Sequence, residues 1–312
     1  MKNVFLFSGQ GSQYPGMGRS FAETFPELTE IFDEASDVLG FDLYDKCVNA
    51  SEDELAQTVV SQPAIMAVSL CAAEALRIKG ITAEAVAGHS LGEYAAMVYA
   101  GMVSRRDGFR LIKARSEAMQ KAAESSDGVM YAIMGIPADE IEKVCADTEG
   151  YVVPVNYNSS LQTVIAGDAE PCAKAAKTFE EAGAKKVVKL SVSSAFHSRI
   201  MQPAADEFLP FAKTVTFERP KITFMSNITG RPYDPDEHTG IGDVPTDMAD
   251  RLAMHIVSPV RFTDELNFLA AQGYDNFLEC GPGKVLTGLV KRTLKDVSFA
   301  NVQDADTLAK VV

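Results

Sequence analysis

Gly88-His89-Ser90-Leu91-Gly92 fits the pattern G-x-S-x-G, which holds a serine on a sharp strand-to-helix turn with its hydroxyl projecting outward. The flanking glycines let the chain turn without side-chain clashes. The backbone N–H groups that follow, with a helix dipole behind them, face the place where negative charge develops when a carbonyl is attacked. This is the chemistry of a covalent acyl intermediate. Five-residue patterns with three fixed positions also arise by chance, so the competing reading is a plain glycine-rich turn. The apolar strand before it and the alanine-rich helix after it favour the catalytic reading.

A serine nucleophile needs a base, and the chain has only 4 histidines. His238 sits in a polar stretch and reads as solvent-exposed. His89 adjoins Ser90, so its side chain should point away from the hydroxyl, in a structural role. His255, between Met254 and Ile256, reads as an ordinary partly buried histidine. His197 lies in Ser193-Ser194-Ala195-Phe196-His197-Ser198, where a small domain is expected to return to a larger one, and domain junctions commonly hold active sites. It is the best base.

The N–H of Leu91 is one candidate donor to an oxyanion, and the loop Gly9-Gln10-Gly11 is a candidate for the second. A phosphate loop is the alternative for that segment. Gly9, Gly11, Gly16 and Gly18 do not space as G-x-G-x-x-G, however, and no Gly-Lys-Ser/Thr follows. Arg115 falls on one helical face with Gly108, Leu111, Ile112 and Met119. An arginine in an apolar stripe is snorkelling, paired, or placed for an anionic ligand. A guanidinium can hold a carboxylate through two parallel hydrogen bonds, which suits a dicarboxylic acyl group.

The elements that must position these residues alternate. Val4–Phe7 and Glu84–Ala87 read as strands. Helices are expected over Phe25–Leu39, Gln62–Lys79, Glu93–Gly101 and from Ser104 to about Ala123, the last opened by a capping box of Ser104 with Asp107. This alternation predicts an α/β fold with a mainly parallel sheet, of α/β-hydrolase-like type. From about Ser125 to Ser194 the order becomes β-α-β-β-α-β: strands over Gly128–Gly135, Tyr151–Asn156, Thr163–Ala166 and Lys185–Ser191, with helices over Ala138–Asp147 and Ala169–Ala182. A ferredoxin-like small domain over residues 125–195 is therefore expected, inserted into a discontinuous catalytic domain of residues 1–124 and 196–312. Arg231–Pro245 reads as a surface loop.

Composition bounds the function. The 312 residues are 46% hydrophobic and 23% charged, enough for a sizeable core. A net charge of −14 disfavours nonspecific nucleic-acid binding, which relies on neutralising phosphates. The 5 scattered cysteines contain no C-x-x-C pair and read as small core residues rather than disulfides or a metal site. No signal peptide and no uninterrupted apolar run of membrane-spanning length is read, so a cytoplasmic protein without membrane association is expected.

Six motifs together resemble the malonyl-CoA:acyl carrier protein transacylase family, which includes the acyltransferase domains of fatty-acid and polyketide synthases. They are Gly9-Gln10-Gly11-Ser12-Gln13, Gly88–Tyr94, Arg115, Asn158-Ser159 before Ile165-Ala166-Gly167, Ala195–Ser198, and Ser258-Pro259-Val260 with Gly281–Leu286. The resemblance spans essentially the whole chain. It implies Ser90 as nucleophile, His197 as base, Gln10 and Leu91 as oxyanion donors, and Arg115 as the holder of the malonyl carboxylate. It places Asn158 and Phe196 at the substrate, and the bulky ring of Phe196 looks like the malonyl-selective type. A backbone carbonyl at His255, where many members carry glutamine, would orient the base, which leaves a second imidazole near the site.

The activity implied is ping-pong transfer of malonyl from coenzyme A to the phosphopantetheine thiol of an acyl carrier protein. That transfer requires no metal or other cofactor, and a monomer serving fatty-acid synthesis is expected. Lys185, Lys186 and Lys189, or Lys284, Lys291, Arg292 and Lys295, could steer an acidic carrier. The plainer reading of each is solvated surface charge. Alternatives are a trans-acting polyketide-synthase acyltransferase, a serine esterase or thioesterase, and a non-catalytic carrier-docking module. An α/β-hydrolase esterase would carry an acid between serine and histidine, an HGGG-type loop and a histidine near the C-terminus. Here 115 residues follow His197.

Overall fold

The computed structural model describes residues 1–236 and 244–312. Its larger sheet has six strands: β1 (Asn3–Phe7), β2 (Ala85–Gly88), β7 (Thr223–Ser226), β8 (Arg231–Pro232), β9 (Asn276–Cys280) and β10 (Ser298–Val302). They lie in the order β10-β9-β1-β2-β7-β8, and every pairing is parallel except that of β7 with β8. Val4–Phe7 of β1 and Ala85–Gly88 of β2 carry no polar side chain because both faces are covered. Phe5, Phe7 and Val86 enter one core with the helix Thr58–Ile78, while Val4, Leu6, Ala85 and Ala87 enter another with Phe262, Leu266 and Leu289.

Thr58–Ile78 is long and apolar enough to cross a membrane by length and composition, but 89% of its most apolar window is buried inside this fold. It is a core helix that packs against Arg105–Glu124, the helix that carries Arg115. At the start of that second helix the Ser104 hydroxyl accepts the Asp107 N–H (3.0 Å) and donates to the Asp107 carboxylate (2.8 Å). The expected capping box is thus only half made, because the short aspartate binds the hydroxyl instead of reaching back to the Ser104 backbone.

The second sheet comprises β3 (Val129–Met134), β4 (Val152–Ser159), β5 (Gln162–Gly167) and β6 (Lys186–Lys189). All its pairings are antiparallel, in the order β4-β5-β3-β6. Helices Ala138–Asp147 and Ala169–Glu181 complete a core of Ile133, Ile141, Ile165 and Phe179. β4 extends beyond the expected Asn156 by pairing through two register shifts. Its outer edge meets the larger unit, where Tyr157 N–H donates to Val260 O (2.9 Å) and Val260 N–H to Val155 O (2.8 Å).

Arg231–Pro245 is not a surface loop throughout. Gly230, at φ +63, closes a tight turn that folds Arg231 and Pro232 back onto Ser226 and Met225 as β8. Tyr233 is buried and donates to Thr246 O at 2.9 Å. Residues 237–243, with His238, lie outside the described residues. Between residues 199 and 312 the sequence reading assigned no regular element. The chain there forms β7 to β10 and the helices Gln202–Ala212, Met248–Val257, Phe262–Ala271 and Val285–Thr293.

Candidate active site

β2 stops at Gly88 and the helix Gly92–Tyr99 begins four residues on, with Ser90 between them at φ +54. A Cβ on Gly88 would fall 2.0 Å from the carbonyl carbon of Gly92, and one on Gly92 would fall 2.2 Å from Phe7 O. Space alone demands both glycines. A left-handed backbone at a serine costs on the order of 1–3 kcal/mol, so its surroundings must hold it there.

The Ser90 hydroxyl lies 2.7 Å from His197 Nε2. On the other side of the ring, Nδ1 faces the carbonyls of His255 (3.0 Å) and Ser258 (3.1 Å). Carbonyls only accept, so Nδ1 carries the proton and Nε2 is left to accept from Ser90. The histidine is therefore oriented by two backbone carbonyls, and Ser258 joins the expected His255. The side chain of His255 is not at the hydroxyl. It is fully buried behind His197, with ring centroids 5.2 Å apart and Nδ1 3.1 Å from Glu93 Oε2. Among the described residues only one imidazole reaches the Ser90 hydroxyl.

Burial, reinforced by the Arg115 charge, pushes the His197 pKa down to about 3 against the opposing pull of the two carbonyls. The resting imidazole is thus neutral and ready to accept a proton. The acylation rate should stay flat as pH falls through 6.5 and drop only on approach to about 3, as rapid pH-jump acylation would reveal. The same depression affects stability. Between pH 6.5 and about 3 the unfolded chain takes up a proton that the folded one refuses, so stability present above 6.5 is lost across that window.

Arg115 is fully buried. Its Nη2 donates to Ser90 Oγ (3.1 Å) and its Nη1 to Gln62 Oε1 (2.7 Å), and its guanidinium lies 5.5 Å from the Tyr94 ring centroid. Among the described residues no acceptor meets Nε and no carboxylate pairs with this cation. Gln62 in turn approaches Gln10 Oε1 at 3.4 Å. The backbone N–H groups of Gln10 and Leu91 also have no acceptor among the described residues. Ser12 Oγ ties the Gln10 loop by donating to Gly9 O (2.7 Å).

Beside the Ser90–His197 pair lies a cavity of about 150 Å³ between the two sheets, walled by Gln10, Ser90, Phe196 and His197 from one side and Met130, Leu190 and Val192 from the other. Asn158 stands one step back, its Oδ1 2.7 Å from His89 Nε2, and it is His89 that lines the cavity. All five cysteines are buried, and burial pushes Cys47, Cys145 and Cys172 up to about 12, so no thiol competes as nucleophile. Lys185 and Arg292 share a separate cleft with Ser160 and Gln162, while Lys186 and Lys189 are exposed on β6.

Sequence reasoning missed Gln62 and Asn227, and named Ser258 only as part of a motif, without its role. Gln62 carried the same signal as Arg115, a polar residue inside an apolar helix. Asn227 carried none, since it follows a strand that was itself unassigned. Its fully buried side chain accepts the Ser90 N–H at 2.8 Å.

The acyl transferase domain family matches residues 4–311. A malonyl CoA-acyl carrier protein transacylase of Escherichia coli K12 is 38% identical over 309 residues, covering 98% of this chain and 97% of its own. A solved malonyl CoA-acyl carrier protein transacylase of Clostridium perfringens superposes with a TM-score of 0.93 at 34% identity, over 100% of this chain and 96% of the other. A malonyl-transacylase solved in complex with its type II polyketide acyl-carrier protein gives 0.90 at 36% identity, over 99% and 98%. Matched over nearly its whole length, this chain belongs to the acyl transferase family and, within it, to the malonyl CoA-acyl carrier protein transacylases.

Proposed function

We propose that this enzyme transfers malonyl from coenzyme A to the phosphopantetheine thiol of an acyl carrier protein through an ester on Ser90, supplying extender units for fatty-acid synthesis in the cytoplasm. The observation that carries the reading is Arg115: a fully buried guanidinium without a carboxylate partner among the described residues, 3.1 Å from the Ser90 hydroxyl. A buried unpaired cation is costly and calls for an anion. A free carboxylate one methylene beyond the reacting carbonyl meets that need.

In the first half-reaction His197 Nε2 takes the Ser90 proton as Oγ attacks the thioester carbonyl. The oxyanion is met by the Gln10 and Leu91 amides. The C–S bond breaks and His197 gives its proton to the departing coenzyme A thiolate. In the second half His197 takes the proton of the carrier thiol, the thiolate attacks the ester carbonyl, the acyl C–O bond breaks, and the proton returns to the departing Ser90 Oγ. These steps balance without metal or redox chemistry. Phe196 beside His197 narrows the cavity and disfavours branched acyl groups, and Asn158 acts by fixing His89 in the cavity wall.

Intact-protein mass spectrometry tests the reading. Mixing with malonyl-CoA should add one malonyl group, which phosphopantetheinylated carrier then removes. A protein that stays unmodified under fast quenching would leave the covalent route without support. For docking, reversing charge at Lys185 and Lys186 together is expected to raise the carrier KM several-fold while acylation by malonyl-CoA stays as it was, because rim charges act mainly on encounter. An unchanged carrier KM would remove that edge of β6 from the docking surface.

A further inference from the structure

We propose that Asn227 is a positioning residue for the nucleophile, an inference that rests on the reading of Ser90 as the attacking group. The pairing of β2 with β7 ends at Val86 opposite Phe224, so Ala87 and Gly88 have no backbone partner from β7 where the chain enters the elbow. The Asn227 side chain takes over there. Its Oδ1 accepts the Ser90 N–H (2.8 Å) and its Nδ2 donates to Gly88 O (2.6 Å), so one amide grips the chain on both sides of His89. An N–H must meet an acceptor and a carbonyl a donor, which leaves this amide a single orientation.

Asn227 is itself held from two further helices. Glu93 Oε1, in Gly92–Tyr99, accepts the Asn227 backbone N–H at 2.5 Å. Glu265 Oε1, in Phe262–Ala271, accepts the second Nδ2 hydrogen at 2.9 Å. The Asn227 carbonyl accepts the Arg261 N–H at 2.8 Å. With its side chain fully buried and every amide hydrogen used, Asn227 has no freedom to follow a moving elbow.

Two consequences follow for the reaction. Ser90 is kept at φ +54, which sets its Oγ between His197 Nε2 and Arg115 Nη2. The Ser90 N–H is also committed to Asn227, so it cannot serve the oxyanion, and that task falls to Gln10 and Leu91. Neither consequence involves contact with substrate.

The test compares Asn227→Leu and Asn227→Asp with wild type by quenched-flow mass spectrometry, which reads the acylation rate separately from the fraction of acylatable protein. Asn227→Leu should lower the maximal acylation rate by roughly 100-fold while half-saturating malonyl-CoA shifts less than about threefold, since Arg115 and the cavity are untouched. In Asn227→Asp the new carboxyl is buried at a residue that Glu93 and Glu265 contact, with Arg251 on the adjacent Ser226 and His255 against Glu93. Burial and the two carboxyls favour its protonated form, which restores both a donor and an acceptor. Its rate relative to wild type should therefore decline between about pH 6 and about pH 9.

A fluorophosphonate probe, which reports the alignment of Ser90 with His197 without malonyl-CoA, should slow in parallel. Full-rate acylation and labelling in the folded fraction of Asn227→Leu would overturn the proposal. If that variant does not fold, a pH-independent ratio for Asn227→Asp would overturn it instead. A wild type that reacts with the probe but not with malonyl-CoA counts against the transacylase reading, and the probe rates of the variants then decide the role of Asn227 alone.

Discussion

Ser90→Ala is expected to form no malonyl adduct and to lose transfer to the carrier by about 10⁴-fold or more. The expectation rests on the absence of any substitute. His197 Nε2 lies 2.7 Å from this hydroxyl, and all five cysteines are buried, so among the described residues no thiol stands ready to take the acyl group instead. The fold should survive, because alanine meets the same backbone cost at φ +54 as serine does. Mass spectrometry with malonyl-CoA, alongside a thermal melt, separates the two effects. A malonyl group found on the variant would place the ester elsewhere. A melting temperature lowered by many degrees would mean that the hydroxyl also supports the elbow.

Arg115→Ala comes second in size and should change selectivity as well as rate. Removing the guanidinium takes away the charge-assisted fork for a carboxylate that must be desolvated to enter the cavity, a loss of about 3–4 kcal/mol. Malonyl acylation should then fall by two to three powers of ten, whereas acetyl-CoA, which has no carboxylate to place, should lose far less. The preference for malonyl over acetyl should therefore shrink towards unity. Arg115→Lys should recover only part of it. An ammonium is a point charge without the planar fork, and it cannot both hold Gln62 at the Nη1 position and offer two parallel donors. An Arg115→Ala enzyme that kept its full malonyl preference would assign carboxylate recognition to another polar group of the cavity wall, such as Gln10, Gln13 or His89.

Several parts of the site were legible in the sequence because their causes are local. Gly88 is required within a five-residue turn by a contact of 2.0 Å with Gly92, and that requirement appears directly in G-x-S-x-G, whereas Gly92 is required by its approach to Phe7 of β1. β1 and β2 showed as apolar runs because both their faces are buried. Arg115 stood out because helical periodicity places it among apolar neighbours whatever the helix packs against. The loop expected over Arg231–Pro245 failed at its start for the opposite reason. Its prolines and aspartates suggested irregular chain, but Gly230 turns Arg231 and Pro232 back onto β7, a pairing with no local signature.

The amino-acid sequence thus determined the chemistry on offer: a serine on a forced turn, few histidines to serve it, and a charged group set in an apolar helix face. Such properties depend on steric exclusion and periodicity over a few residues. Tertiary structure alone decided which groups meet. Ser90 and His197 are 107 residues apart, Ser90 and Asn227 137, and Arg115 and Gln62 53. It also added the Ser258 carbonyl to that of His255, which the resemblance had implied, in orienting the base. Every residue has a carbonyl, so no residue type can announce that role. Only the path of the chain brings those two oxygens to His197.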